Sequence, residues 1–258
     1  MAMRRSIIAG ACVLLLSACT RATSTAAPTS PPSALSSPTP SVADVAPEPQ
    51  PLLEPGATTV VRSDGPRFRI YKRPGPGAVV TMRLAATNDW QQPLALPAVD
   101  AFTGSDGTAW YHVRLPIRPN GSLGWVSGEE VTARELHERI VVDLSAHRLR
   151  RIVAGDTVES ISVGDGAPGT PTPPGRFFVW ARVPTGDPNG PYGIFALGLS
   201  GFSDVITDWV GGGRLAIHGT DDPSDRGRAV SHGCVRVYNA EMRSLTDVPL
   251  GTPVWIHP

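Results

Sequence analysis

Cysteine is scarce: the 258-residue chain holds three, at positions 12, 19 and 234. Three thiols so spaced exclude a disulfide-built scaffold. No CxxC or HExxH spacing is present, so no standard zinc framework can be read from the chain. An excess of charge is missing too, with Lys plus Arg at 23 and Asp plus Glu at 23, which excludes the basic footprint of a nucleic-acid binder. Aromatic residues make up only 6%, whereas Gly and Pro number 27 each, a balance that favours turns and short strands over long helices. With 41% hydrophobic residues the chain can still bury a core, and a mainly β protein with an unstructured stretch is expected.

What is present starts with a leader. Arg4 and Arg5 precede an apolar run from Ile7 to Leu16 and then Ser17-Ala18-Cys19, too short to span a membrane as a mature helix. Leu16-Ser17-Ala18-Cys19 resembles a bacterial lipoprotein cleavage box, which implies a signal peptide over 1–18 and lipid on Cys19; an ordinary signal peptide cut nearby is the alternative. The paired arginines hint at the twin-arginine route, but their neighbours do not support it. From 19 to 58 there is no aromatic residue and nine prolines recur among Ser, Thr and Ala, the composition of a disordered tether. At about 3.1 Å per residue such a tether reaches on the order of 100 Å.

Between 59 and 133 short apolar-aromatic runs alternate with turn residues: Arg67-Phe68-Arg69-Ile70-Tyr71, Ala109 to Leu115, Gly124-Trp125-Val126. They predict a small β-barrel. Trp110-Tyr111-His112-Val113, a turn, then Gly124-Trp125-Val126-Ser127 resembles the end of bacterial Src-homology-3-like domains. Arg134 to Arg139 reads as a short charged connector. A second domain, 138–258, is expected to hold strands over Ile140 to Leu144, Arg148 to Val153, Val158 to Val163, Arg176 to Trp180 and Val254 to Ile256. Asn239 reads as the N-cap of one short helix from Ala240 to about Asp247.

Because Cys12 goes with the leader and Cys19 takes lipid, Cys234 has no intramolecular partner. Its surroundings are Ile217-His218-Gly219-Thr220, a polar loop from Asp221 to Val230, and Ser231-His232-Gly233-Cys234-Val235-Arg236-Val237. A thiol becomes a strong nucleophile when a nearby imidazole takes its proton, and the same imidazole can later protonate a leaving amine. His218, 16 residues upstream, can reach Cys234 if the polar loop folds back, and His232 at i−2 is the rival base. Gly233 permits an unusual backbone angle that would let the amides of Gly233 and Cys234 converge on an oxyanion. Against this stand a buried inert thiol and a zinc site of His218, His232 and Cys234, which lacks a fourth ligand. His112, His137, His147 and His257 read as surface or strand histidines. Trp180, Tyr192, Trp209 and Trp255 read as core or rim aromatics, of which Tyr192 and Trp209 sit in glycine-bounded loops suited to border a cleft.

His218-Gly219-Thr220 followed by Ser231-His232-Gly233-Cys234-Val235-Arg236 resembles the signature of the L,D-transpeptidase catalytic domain family, and Gly169-Thr170-Pro171-Thr172-Pro173-Pro174-Gly175-Arg176-Phe177 resembles the stretch that precedes it. The likeness covers about 139 to 257. It implies a β-sandwich-like catalytic domain with one or two short helices, behind the small β-barrel. It further implies a cysteine acyltransferase of peptidoglycan biosynthesis, cell wall organisation and cell shape. Cys234 attacks the third-residue carbonyl of a tetrapeptide stem, releases D-Ala and passes the acyl group to a neighbouring stem's amine, a 3-3 cross-link. By the same likeness His218 is the general base, oriented by the backbone carbonyl of Gly219; His232, Gly233 and Cys234 line the oxyanion hole; Ser231 supports the pocket and Arg236 anchors a substrate carboxylate or a loop. No cofactor or metal is implied, and carbapenems are expected to acylate the thiol. With lipid at Cys19 the enzyme would sit on the outer face of the cytoplasmic membrane, facing the periplasm or cell wall. Two other readings remain: an L,D-carboxypeptidase that uses water as acceptor, and an inactive wall-binding lipoprotein.

Overall fold

The structure is a computed structural model that describes residues 56–209 and 211–258. The expected signal peptide, Cys19 and the tether as far as residue 55 lie outside the described residues. Among the described residues the fold is mainly β, as the composition favours, with one four-residue α-helix.

The first seven strands are β1 (Thr58–Ser63), β2 (Arg67–Tyr71), β3 (Val80–Ala85), β4 (Leu96–Thr103), β5 (Ala109–Arg114), β6 (Leu123–Ser127) and β7 (Val131–Leu136). They form one sheet in the order β3-β2-β6-β5-β4-β1-β7, curled as half a barrel with β3 and β7 at its two ends. The charged connector expected from Arg134 to Arg139 is not there. Arg134 and Glu135 belong to β7, which pairs antiparallel with β1 along its whole length, Thr58 opposite Leu136 and Ser63 opposite Val131. Only Val131 and Leu136 of that strand are buried, so its charges mark an edge strand with a solvated middle.

After His137 come β8 (Glu138–Asp143), β9 (Arg148–Val153), β10 (Asp156–Ser162), β11 (Gly164–Gly166), β12 (Gly175–Pro184), β13 (Phe195–Phe202), β14 (Arg214–Thr220), β15 (Arg228–Ser231), β16 (Val235–Tyr238) and β17 (Pro253–His257). Their order in the second sheet is β10-β9-β8-β17-β12-β13-β14-β16-β11-β15. The helix α1 (Asn239–Met242) runs into a 3-10 turn, Arg243–Leu245. Asn239 is not its cap: the N-cap is Tyr238, without a side-chain hydrogen bond, and the Asn239 amide is engaged elsewhere.

The described residues form one compact unit, because the two sheets share walls. Successive side chains on a strand point to opposite faces. On β12, Phe177 and Val179 therefore enter the core of the second sheet, while Phe178 and Trp180 enter the core of the first. Val60 and Val61 on β1 divide in the same way. Asn88 adds a polar tie, its amide donating to the Trp180 carbonyl at 2.8 Å. Phe178 is fully buried at this seam, and truncating such a side chain costs about 3–5 kcal/mol.

Candidate active site

The sheet order brings the two halves of the signature side by side. β14 and β16 are parallel neighbours with Ile217 opposite Val235 and His218 opposite Arg236, so the polar loop between them is a crossover return. Inside that return, Asp222 caps a 3-10 turn, Pro223–Asp225, by accepting from the Ser224 amide at 2.9 Å. β15 then delivers Ser231 to the turn that ends in Cys234.

That turn is tied at each position. Ser231 is buried; its Oγ donates to the Cys234 carbonyl at 2.6 Å and accepts the Gly233 N–H at 3.0 Å. Gly233 has φ +112°, a conformation that residues with a Cβ rarely adopt. The upstream Gly169 to Phe177 stretch braces the turn from outside. Thr170 Oγ1 donates to the Ser231 carbonyl at 3.0 Å, and Thr172 Oγ1 donates to the Gly233 carbonyl at 2.9 Å while accepting the Gly166 N–H. The Gly233 N–H, expected to face an oxyanion, is engaged by Ser231 Oγ in this arrangement. Among hydrogen bonds between described residues, none uses the amides of His232 or Cys234.

A cleft of about 190 Å³ is lined by Pro191, Tyr192, Trp209, His218, Ser231, His232, Cys234 and Arg236. It gathers every candidate side chain named from the sequence except Cys19, which lies outside the described residues. Two larger concave sites among the described residues, of about 310 and 450 Å³, contain no cysteine. Cys234 is the free cysteine of the described residues and is partly exposed to the cleft. Burial pushes its thiol pKa up, against a backbone hydrogen bond from Ala216 and the positive charge of Arg236.

His218 is buried, and its Nδ1 lies 2.8 Å from the Gly219 carbonyl oxygen. A carbonyl only accepts, so Nδ1 carries the proton and Nε2 is left with its lone pair. Burial lowers the His218 pKa to about 4; the bond to Gly219 and the Asp225 carboxylate oppose that shift, and Arg236 adds to it. Gly219 has to be a glycine, because a Cβ there would lie 2.3 Å from Asn239 Oδ1. Tyr192 sets its ring edge-on to the His218 imidazole, with centroids 5.1 Å apart. His232, the rival base, is exposed and lies against Trp209 at the rim, 5.2 Å between centroids.

Arg236 is turned toward the return loop. Its Nη1 donates to both oxygens of Asp225 at 3.2 Å, and Asp225 Oδ2 also accepts from Thr220 Oγ1 at 2.9 Å. Asp225 and Thr220 were not among the candidates, nor was Asn239, whose Oδ1 accepts the Ile194 N–H at 3.0 Å and whose Nδ2 donates to the Pro188 carbonyl at 2.8 Å. The latter pair pins the loop that carries Tyr192. The Trp209 loop is held from the first sheet: Arg118 Nη2 donates to the carbonyls of Ser203 and Gly212, and Asn120 exchanges two hydrogen bonds with the Phe202 backbone. Apart from the Thr220–Asp225 contact, these supports join residues at least 11 positions apart in the chain. Among the described residues no group of three or more His, Cys, Asp or Glu is disposed to hold a metal ion.

Residues 137–256 match the model of the L,D-transpeptidase catalytic domain, the YkuD family. A putative L,D-transpeptidase YkuD of Bacillus licheniformis is 36% identical over 121 residues, 46% of this chain and 66% of that protein. Its namesake in Bacillus subtilis is 29% identical over 150 residues, 55% of this chain and 84% of that one. Among solved structures, the catalytic domain of an L,D-transpeptidase acylated by ertapenem, from E. faecium, is 27% identical, with 46% of this chain and 96% of that one covered and a TM-score of 0.36. Over residues 137–256, then, this chain is similar to the L,D-transpeptidase catalytic domain family.

Proposed function

We propose that the protein is a peptidoglycan L,D-transpeptidase with Cys234 as nucleophile and His218 as general base. The observation that carries this reading is the hydrogen bond from His218 Nδ1 to the Gly219 carbonyl, in the same cleft as the one free thiol of the described residues. It leaves Nε2 free to accept a proton, and the low His218 pKa keeps the imidazole neutral at the pH of a cell envelope.

The resting pair is then a neutral thiol and a neutral imidazole. As Sγ attacks the third-residue carbonyl of a tetrapeptide stem, its proton passes to His218 Nε2, and the carbonyl oxygen becomes an oxyanion. The unengaged amides of His232 and Cys234 are the donors suited to receive it, while Ser231 and Gly233 shape the turn that aims them. Collapse breaks the bond to D-Ala, whose amine takes the proton from His218, and a thioester remains on Cys234. The amine of a second stem gives a proton back to His218 as it attacks the thioester, and the departing sulfur recovers it. Tyr192 and Trp209 flank the entrance as apolar walls for the stem, and Arg236 keeps the return loop closed through Asp225.

In the same reading the chain is made with a lipoprotein signal, anchored by lipid on Cys19 to the outer face of the cytoplasmic membrane, and held off it by the proline-rich tether. The first sheet corresponds to a Src-homology-3-like module. A carbapenem offers Sγ a strained carbonyl in place of the stem, so it should acylate the thiol. Intact-mass measurement tests this: the wild type should gain one carbapenem mass and Cys234→Ala none, and an adduct that survives the substitution rejects the nucleophile.

A further inference from the structure

A second concave site lies at the seam between the sheets, with a volume of about 310 Å³. The first sheet contributes Pro97, Val99 and Arg114, and the second contributes Arg176 and Trp255, which face each other across the β12–β17 ladder. Two guanidinium groups line it and no carboxylate does. Other arginines drawn into the protein use their guanidinium groups: Arg151 pairs with Glu138 and Asp247, Arg236 pairs with Asp225, and Arg214 donates to the Leu199 carbonyl at 3.1 Å. Among the described residues, neither the Arg114 nor the Arg176 guanidinium makes an ion pair or a hydrogen bond. Arg176 lies over the Trp255 ring at 4.6 Å, and Arg114 is half-buried at the end of β5.

A half-buried guanidinium beside another of like charge is an unfavourable arrangement in the empty protein. Burial and the charge of Arg176 both hold the Arg114 pKa below its ordinary value. Such a pair becomes favourable once an anion sits between the two cations, because planar guanidinium forks match the oxygens of carboxylate and phosphate groups. The remaining walls, Pro97, Val99 and the 43% exposed Trp255, are apolar, so the group that carries the anion can pack against them.

We infer that the seam pocket between Arg114 and Arg176 is a binding site for an oxyanion, a carboxylate or a phosphate, borne on a ligand whose apolar or planar part rests against Trp255. Because its walls come from both sheets, occupation ties them together. The inference stands independently of the chemistry at Cys234.

Thermal unfolding of the full chain tests it, with inorganic phosphate and acetate titrated separately at ionic strength held constant with chloride. A ligand that binds only the folded state raises the melting temperature in a saturable way. The wild type should show that rise with at least one of the two anions, phosphate alone pointing to a phosphate-bearing ligand and acetate alone to a carboxylate. Arg114→Gln and Arg176→Gln should each weaken the apparent affinity at least tenfold, and Arg114→Lys, which keeps the charge and loses the fork, should weaken it less. Without added anion, Arg114→Gln should melt no lower than the wild type, since it removes an uncompensated charge. The inference is overturned if neither anion gives a saturable shift, if the shift persists in the Arg114→Gln, Arg176→Gln double variant, or if Arg114→Gln alone destabilises the anion-free protein.

Discussion

The imidazole of His218 is held by the backbone of its own neighbour, with Nδ1 2.8 Å from the Gly219 carbonyl oxygen. In many hydrolases a carboxylate orients the base and stabilises its charged form. A neutral carbonyl does that weakly, and at a buried position the desolvation penalty prevails, so His218 titrates near 4.

The pH dependence follows from that value. Below about 4 the base is protonated and the reaction stops, so the acid limb of kcat/KM is expected near 4 and not near the ordinary histidine value of about 6.5. Stability follows with a definite sign. Between about 6.5 and 4 the unfolded chain binds a proton at this position and the folded chain does not, so the contribution is full above that window and is lost as pH falls through it. Rates over pH 3.5–8 and urea midpoints over the same range check both.

Thr172 braces the Cys234 turn from 61 residues away. Thr172→Val keeps the shape and removes the hydroxyl that links Gly166 N–H to the Gly233 carbonyl. Leaving both groups unsatisfied is expected to cost roughly 2–3 kcal/mol. Urea unfolding should show that loss, and kcat should fall at least tenfold because Sγ is no longer aimed.

Asp225→Asn tests the return loop. Arg236 would lose a carboxylate partner, and because the Arg236 side chain is 30% exposed the expected destabilisation is only about 1–2 kcal/mol. His218 would also lose a charge that raises its pKa, so the acid limb should move lower still. A limb that moves upward would contradict the assignment.

The first sheet is predicted to shape the entrance to the cleft. Arg118→Ala and Asn120→Ala release the loop of Trp209 without touching Cys234 or His218. About a tenfold rise in KM for the stem, with kcat nearly unchanged, is the expected signature. Steady-state kinetics on disaccharide-tetrapeptide resolve the two constants.

Much of this was legible in the chain, and what was missed has physical reasons. The signature residues lie close together in sequence and share a glycine-rich turn, so their types and spacing sufficed to gather them. β13 was missed, because Phe195 to Phe202 is buried along its whole length and broken by Gly198 and Gly201, and it shows no alternation. Gly201 is small because the Phe177 ring leaves no room for a Cβ. The charges of Arg134 and Glu135 suggested a connector, whereas an edge strand tolerates them. Asn239 looked like a cap, since a helix start and a loop clamp favour the same side-chain amide. Thr172, Asp225 and Arg118 act on partners that only the folded chain brings near.

Mass spectrometry of muropeptides, made by the purified protein from disaccharide-tetrapeptide, tests the central claim most directly. The account predicts released D-Ala and a dimer joined through the third residues of two stems, both abolished in Cys234→Ala and reduced at least a hundredfold in His218→Ala. D-Ala released without any dimer would make water the acceptor, and a dimer still formed by Cys234→Ala would contradict the account.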